Sequence, residues 1–537
     1  LGILKNMEAY SQQIGIETYR APFGWCKQFS LSIKGHPLAE QLRIISPEEE
    51  KKEEPVSKAL EAEAKTKSNW FILQPDGKLI AIDQFNFAGH DMLEKFAKYE
   101  ISKVRGVQKV PPHVTLMRRL EIADYEPASD LGNFRWYPKG RLIKSLIEEF
   151  VTEKVIEYGG MEVETPIMYD FQHPSLSDYV NRFPARQYLM KSEDKELFLR
   201  FSACFGQFLM VHDAQLSYRQ LPLRIYELTK YSFRREKSGE LAGLRRLRAF
   251  TMPDCHAMCT DLEQAKQEFL TRFKLSKNVL EGLGLTGEDY ELAVRFTKDF
   301  YQQNKDSVLS LVQLFGKPAL VEMWHERFFY FVLKWEFNFV DSLEKASALS
   351  TDQIDIENAE RYGITYTDEK GGERHPLVLH CSPSGAIERD IYAMLEKAHM
   401  EQNEGRPPTL PLWLSPTQVR VVPISERFYE GAGKVAEKIE SNRIRVDLDD
   451  RPLTMQRKVR EAEMEWIPYI VVIGEREVRS EILTVRERTA RKAAETEKLR
   501  SMKLEDLVDE IRSKTDGKPF KPLTLSKTLS NRPRFFG

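Results

Sequence analysis

A chain of 537 residues is too long for one hydrophobic core, so length predicts roughly three or four domains. It is 41% hydrophobic and 30% charged with a formal net charge of -2, a globular composition in which a polyanion must be met by local patches and not by a global field. The longest apolar run, FFYFVL followed by KWEFNFV, is short and interrupted by charge, which argues against a membrane span, and no signal peptide is recognisable. Because the first residue is Leu and the chain opens in helix-like sequence, N-terminal truncation is expected. Five cysteines (Cys26, Cys204, Cys255, Cys259, Cys381) in so long a chain make no disulfide framework and fit a reducing compartment, the cytoplasm. Cys255 and Cys259, with no second pair at zinc-ribbon spacing, read as buried or incidental thiols.

In chain order, residues 1–46 read helix, strand and turn, with RAPFGWCKQFSLSIKGHPLAE as the punctuated strand. Residues 47–114 hold a charged linker, SPEEEKKEEPVSKALEAEAKTKS, then a hairpin, WFILQPDGKLIAIDQF, around Pro-Asp-Gly, and a short helix, HDMLEKFAKYEIS. Residues 115–404 form a large unit. Leu142, Ile143, Leu146, Ile147, Phe150, Val151 and Val155 recur at helical spacing until Gly159-Gly160 stops the helix. MEVETPIM then alternates as a strand that Pro166 ends. After the proline-rich seam EGRPPTLPLWLSP, residues 405–516 read βαβαβ and close on a helix bearing Leu504, Leu507, Val508 and Ile511. Residues 517–537 are a basic tail.

The densest chemistry lies in YSFRREKSGELAGLRRLRAFTMPDCHAMC, Tyr231 to Cys259, where five arginines crowd a polar loop between two strand-like flanks. Alternation puts Arg234 and Glu236 on one face, and Arg246, Arg248 and Phe250 on one face of the return strand. Guanidinium forks suit phosphate, a glutamate can accept from an exocyclic amine, and Phe250 offers a surface for a base. This reads as a nucleotide site built without a glycine-rich phosphate loop, since no such motif occurs in the chain. A second element, LHCSPSGAIERDIYAML, puts Arg389 in the first turn of a helix, where a cation opposes the dipole and calls for an anion such as phosphate.

The helix and strand ending at Pro166, the FRRE…RLRAF hairpin and GAIER opening a helix resemble, in order, the three motifs of class II aminoacyl-tRNA synthetases. Within that class, RFSACFGQF, FTMPDCHAMC and LVLHCSPSGAIER resemble the threonyl-tRNA synthetases of the archaeal type. The resemblance implies an α/β (α+β) multidomain protein. Its parts are an antiparallel class II sheet with flanking helices, a C-terminal α/β anticodon-binding domain, and the end of an N-terminal editing domain. The implied activity is threonine activation with ATP to threonyl-adenylate, then transfer to the 3′ end of tRNA(Thr). A zinc-dependent seryl-tRNA synthetase and a non-catalytic RNA-binding relative are the alternatives.

By the same resemblance, Arg234 holds the α-phosphate, Glu236 the adenine amino group, Phe250 stacks on adenine, and Arg246 and Arg389 hold the outer phosphates. One zinc per subunit is implied on Cys204, His256 and His380, and magnesium with ATP. Asp254, Gln353 and Tyr330 would contact threonine. Met252 and Phe331 stand where bacterial relatives carry Gln and Tyr, which puts the ammonium contacts in question. His173 matches the histidine that assists transfer; Lys458, Arg460, Glu477 and Arg486 match anticodon readers. Lys27 and Glu40 match editing-site positions, while the larger front part of that domain is missing. A homodimer through the first motif is implied, in the cytoplasm and with no membrane partner.

Overall fold

The computed structural model describes residues 16–18, 31–33, 68–103, 106, 109–176, 187–327, 329–480, 482–488 and 499–535. Two compact units result, 1–57 and 58–537. In the first, Ile16–Thr18 pairs antiparallel with Leu31–Ile33. Cys26, Lys27 and Glu40 lie outside the described residues.

The second unit is organised by a ten-stranded sheet. Its hairpin β1 (Ser68–Leu73) and β2 (Leu79–Ala81) turns at Gly77 and is followed by α1 (Asp91–Ser102). Next come α2 (Pro112–Arg119), α3 (Pro138–Glu157), β3 (Met161–Glu162) and α4 (Cys204–His212). The long strands β4 (Leu223–Phe233) and β5 (Ala249–Cys259) precede α5 (Leu262–Gly282). Then follow β6 (Tyr290–Thr297), β7 (Ala319–Trp324), β8 (Phe331–Val340), β9 (Ala346–Asp355), β10 (Leu377–Ser382) and α6 (Ile387–Asn403). The order across the sheet is β2-β1-β7-β6-β8-β9-β10-β5-β4-β3. Only β6–β7 and β4–β3 are parallel pairs. The hairpin expected between residues 47 and 114 is therefore an edge of the same sheet, with β1 on β7.

Helix α3 starts at Pro138, where a missing N–H is harmless, and buries the seven residues that the periodicity selects. Gly159, at φ +98°, turns the chain out of it. The strand expected from MEVETPIM is shorter: only Met161 and Glu162 pair with β4. Beyond them the backbone leaves the ladder because its polar groups serve a buried ion pair. Thr165 donates its N–H and hydroxyl to Glu227, and its carbonyl accepts from Arg200. Met168–Asp170 then joins a separate three-stranded sheet with Tyr188–Ser192 and Lys195–Leu199.

The C-terminal layer reads as expected over its βαβαβ part: β11 (Val419–Pro423), α7 (Tyr429–Glu440), β12 (Val446–Leu448), α8 (Met455–Met464) and β13 (Tyr469–Ile473). Two antiparallel strands, β14 (Ile482–Glu487) and β15 (Leu499–Lys503), extend the sheet to the order β12-β11-β13-β14-β15. Helix α9 (Leu504–Lys514) buries Leu507, Val508 and Ile511 on it.

Gly385 joins β10 to α6 at φ +76°, and a Cβ there would stand 1.5 Å from the Leu349 carbonyl oxygen. Gly385→Ala is expected to lose more than about 2 kcal/mol, from left-handed strain plus a clash with backbone that cannot yield. Chemical denaturation measures it; a loss under about 0.5 kcal/mol would show that the β10–α6 junction is soft.

Candidate active site

The register of β10 assembles the first cluster. Its neighbours are β5 and β9, and His380 lies opposite His256 on one side and Gln353 on the other. Cys204, the first residue of α4, closes the triangle. Its Sγ lies 3.1 Å from His256 Nε2 and 3.5 Å from His380 Nδ1, and the two ring nitrogens are 3.2 Å apart. Ligands at about 2.0–2.3 Å from a tetrahedral metal stand roughly 3.3–3.7 Å from one another, so the three donors are spaced to share one ion. All three are buried.

The outer nitrogens fix the tautomers. His256 Nδ1 lies 2.7 Å from Gln207 Oε1 and donates to it, which leaves Nε2 as a lone pair facing the cluster. His380 Nε2 donates to Asp355 Oδ2 at 2.7 Å, which turns Nδ1 inward. Burial, then the neighbouring His380, holds His256 well below the ordinary histidine range, in the ligating neutral form. Burial alone would lower His380 too, but its hydrogen bonds with Asp355 and Cys204 raise it to about 10. A metal at Nδ1 would take the place of that proton. Thiolate, imidazole and imidazole, each oriented from behind, are the donor set and second contacts that a transition-metal site needs.

Beside the cluster, Asp254 accepts from the Ala203 N–H and the Thr229 hydroxyl, each at 3.2 Å. Burial pushes its carboxyl up to about 7. Tyr330 sets its ring 5.3 Å from that of His380 and donates its hydroxyl to Gln353 Oε1 at 2.6 Å.

The arginines line a separate cleft of about 600 Å³. Arg234 and Arg246 reach it from the loop between β4 and β5, and Arg389 from α6. Arg389 is anchored by donating to the carbonyls of Arg245 (3.0 Å) and Ala348 (3.1 Å), with no carboxylate among these contacts. Burial, with Arg234 and Arg246 nearby, lowers its pKa to about 10. Glu236 accepts two hydrogen bonds from Arg246, at 2.8 and 3.0 Å. Crowded cations facing an open cleft are stabilised by an anion, and phosphate fits.

Three family sequence models match the chain. Residues 1–45 match the archaea-specific editing domain of threonyl-tRNA synthetase, 188–398 the tRNA synthetase class II core domain (G, H, P, S and T), and 418–514 an anticodon binding domain. The threonine–tRNA ligase of Thermococcus gammatolerans is 59% identical over 538 residues, spanning 100% of this chain and 85% of the relative. That of Nitrosopumilus maritimus is 54% identical over 99% of this chain and 85% of its own length.

The chain belongs to the threonyl-tRNA synthetase family. A solved structure, the RNA binding domain of threonyl-tRNA synthetase from Cryptosporidium parvum Iowa II, aligns with TM-score 0.64 at 25% identity, covering 76% of this chain and 99% of that one.

Other expected residues of this synthetase fall less simply. Arg246 and Arg248 do not share a strand face, because β5 begins only at Ala249 and the preceding loop winds through a short 3-10 turn, Gly243–Arg245. Arg248 turns away to donate to the Glu236 carbonyl and to Asp130, and so braces the loop. Phe250 is packed against Leu247 and Ala386 instead of lining the cleft. His173 is exposed in the turn after Met168–Asp170 and lines neither the cleft nor the cluster. In the C-terminal layer, Lys458 is buried, donating to the Pro423 carbonyl and lying over the Tyr429 ring at 5.3 Å. Glu477 accepts from the Gly474 N–H and the Thr484 hydroxyl, and Arg486 pairs with Glu463 at 3.0 Å. Arg460 is exposed.

Lys334 and Arg295 are cleft residues that sequence reading missed. Arg295 pairs with Glu100, Glu322 and Glu336, and Lys334 also pairs with Glu336. Burial, then the Arg295 charge, lowers Lys334 to about 7. The signal was present: Lys334, Glu336 and Asn338 alternate along β8, a polar face on an otherwise apolar strand.

Asp355→Asn removes the charge behind His380 and is expected to weaken metal binding about 10–100-fold. Competition with a chelator of known affinity measures it; an unchanged affinity would mean that Asp355 does not orient the ligand.

Proposed function

We propose that this chain joins threonine to the 3′ end of tRNA(Thr) by way of threonyl-adenylate, using zinc on Cys204, His256 and His380 and magnesium with ATP. The observation that carries this reading is the buried thiol-imidazole-imidazole triangle beside a cleft lined by Arg234, Arg246 and Arg389. The names of the relatives, threonine–tRNA ligases, favour threonine over serine and an enzyme over a non-catalytic RNA binder.

Activation brings a carboxylate to the α-phosphorus of ATP, two anions that repel. Fixed guanidinium groups oppose that repulsion without needing to reorganise. Arg234, Arg246 and Arg389 take that part, and Glu236 is released from Arg246 as the phosphates arrive, free to accept from the adenine amine. With Phe250 packed inward, adenine stacking on it requires the ring to be uncovered at Leu247. The zinc, when bound, supplies a Lewis acid with open positions for the amino and hydroxyl groups of threonine. Asp254, Gln353 and Tyr330 surround that position and orient the same groups. His173 is assigned to transfer onto the ribose, and Arg460 and Arg486, with Lys458 and Glu477, to the anticodon. Support for a homodimer comes from β3, the sheet's last strand, where Met161 is exposed, and from the segment after it, where Ile167 and Met168 are exposed as well. Described cysteines that are free and buried suit a cytoplasmic protein, and no described helix is long and apolar enough to cross a membrane.

Coordination through a hydroxyl rejects valine, which lacks one, by about 10⁴-fold or more, whereas serine lacks only a methyl and is rejected by roughly 10–200-fold. Amino-acid-dependent ATP–pyrophosphate exchange is therefore expected in the order threonine, serine, valine, and His256→Ala should lose both zinc and exchange. Full exchange in the metal-free variant would remove the metal from substrate binding.

Arg389→Ala is expected to slow exchange on the order of 10²-fold with zinc content unchanged. An effect under about threefold would make Arg389 a packing residue.

A further inference from the structure

A second cationic cleft, of about 610 Å³, lies where three separate segments of the chain meet. Arg118 and Arg119 come from α2, Arg457 and Arg460 from α8, and Arg532 and Arg534 from the C-terminal tail. Most cations in this wall have partners. Arg118 pairs with Asp124, Arg457 with Glu461, and Arg532 with Asp447. Arg119, Arg460 and Arg534 stand apart: among the described residues none of them has an ion-pair partner.

The tail is not a loose charged end. Ser530 donates its N–H to Asp450 at 2.9 Å, and Arg532 pairs with Asp447 at 2.8 Å. The Phe535 N–H donates to Glu121 at 3.0 Å, and its ring stacks on Tyr137 at 4.9 Å. Arg534 is held between two anchored residues, so its place on the cleft wall is set by the fold. Arg119 is held over the Trp466 ring, 5.7 Å from its centre.

The aromatic faces say what kind of anion fits. A free nucleotide needs a ring on which to lay its base, and the one aromatic residue lining this cleft, Phe535, is already stacked on Tyr137. What the wall offers is charge spread over three segments, which matches a run of phosphates better than one. We propose that this cleft grips the phosphodiester backbone of the bound tRNA, with Arg119 and Arg534 making phosphate contacts that are independent of base sequence. The proposal rests on the tRNA-ligase reading above.

The test uses Arg119→Ala, Arg534→Ala and the double variant of the full chain. The probes are in-vitro transcribed tRNA(Thr) and an unrelated elongator tRNA, each titrated across a range of salt concentrations. Each substitution is expected to weaken binding of both RNAs alike and to lower the slope of log affinity against log salt by about one. Arg119→Lys should keep the slope. Threonine-dependent exchange without tRNA should stay at the parent rate; it reports folding and tests the enzyme reading separately, because its absence in the parent chain would sink that reading and not this one. Unchanged affinity and slope in the double variant would overturn the proposal. So would weakening confined to tRNA(Thr), which would mean base reading, or binding of inorganic tripolyphosphate that Arg119→Ala abolishes while the RNA slope is unmoved, which would mean a small-anion site.

Discussion

The pairing of β10 between β5 and β9 is the constraint on which both halves of the site depend. Side chains alternate across a sheet, so a slip of one residue would send His380 to the opposite face, away from His256 and Cys204. The same slip would displace Gly385 from its contact with the Leu349 carbonyl and shift Arg389 along with α6. His380 and Arg389 are thus nine residues apart on one rigid strand-turn-helix. Packing fixes the register: Val378 and Leu379 are fully buried on opposite faces, in two different cores.

That rigidity sustains an arrangement of charge that is unfavourable by itself. A guanidinium taken from water into a crowd of other cations loses solvation and gains repulsion, and Arg389 shows both. Backbone carbonyls compensate in part at Arg389, as does Glu236 at Arg246. The remainder is a standing demand for anions. An anion placed among these cations would relieve that repulsion, and the backbone contacts of Arg389 hold its guanidinium in place without one.

Sequence legibility followed the range of the interactions. Helix α3, the β1–β2 hairpin and the βαβαβ pattern were readable because their signals are local: period, proline and glycine placement, and turn chemistry. The thiol-imidazole-imidazole triangle was not, since Cys204, His256 and His380 are separated by 52 and 124 residues and converge only through the register of β5 and β10 and the placement of α4. Resemblance to a family supplied them; spacing never could. The misplacement of Arg248 and the shortened strand after Met161 have one cause. In each case a buried polar group elsewhere, the Glu236 carbonyl or the Arg200–Glu227 pair, recruits the backbone or side chain more strongly than the ladder does.

The tail was read as no more than basic, and here the cause is different. A charge run looks the same whether it is solvated or paired, and only tertiary structure says which. It closes a chain of ion pairs from Glu121 through Lys139, Glu465, Arg420 and Asp447 to Arg532, across the junction of the catalytic and anticodon-binding layers. Burial raises the carboxyl of Glu465 but is outweighed by Arg420 and Lys139, which hold it well below the usual carboxylate range. One such pair at a surface stabilises little, but here Lys139, Glu465, Arg420 and Asp447 each have two partners, so ordering one side chain serves two contacts. The consequence is positional. The layer that matches the anticodon binding domain and the layer that carries the arginine cleft are joined through Lys139 of α3, Glu465 just after α8, and the tail.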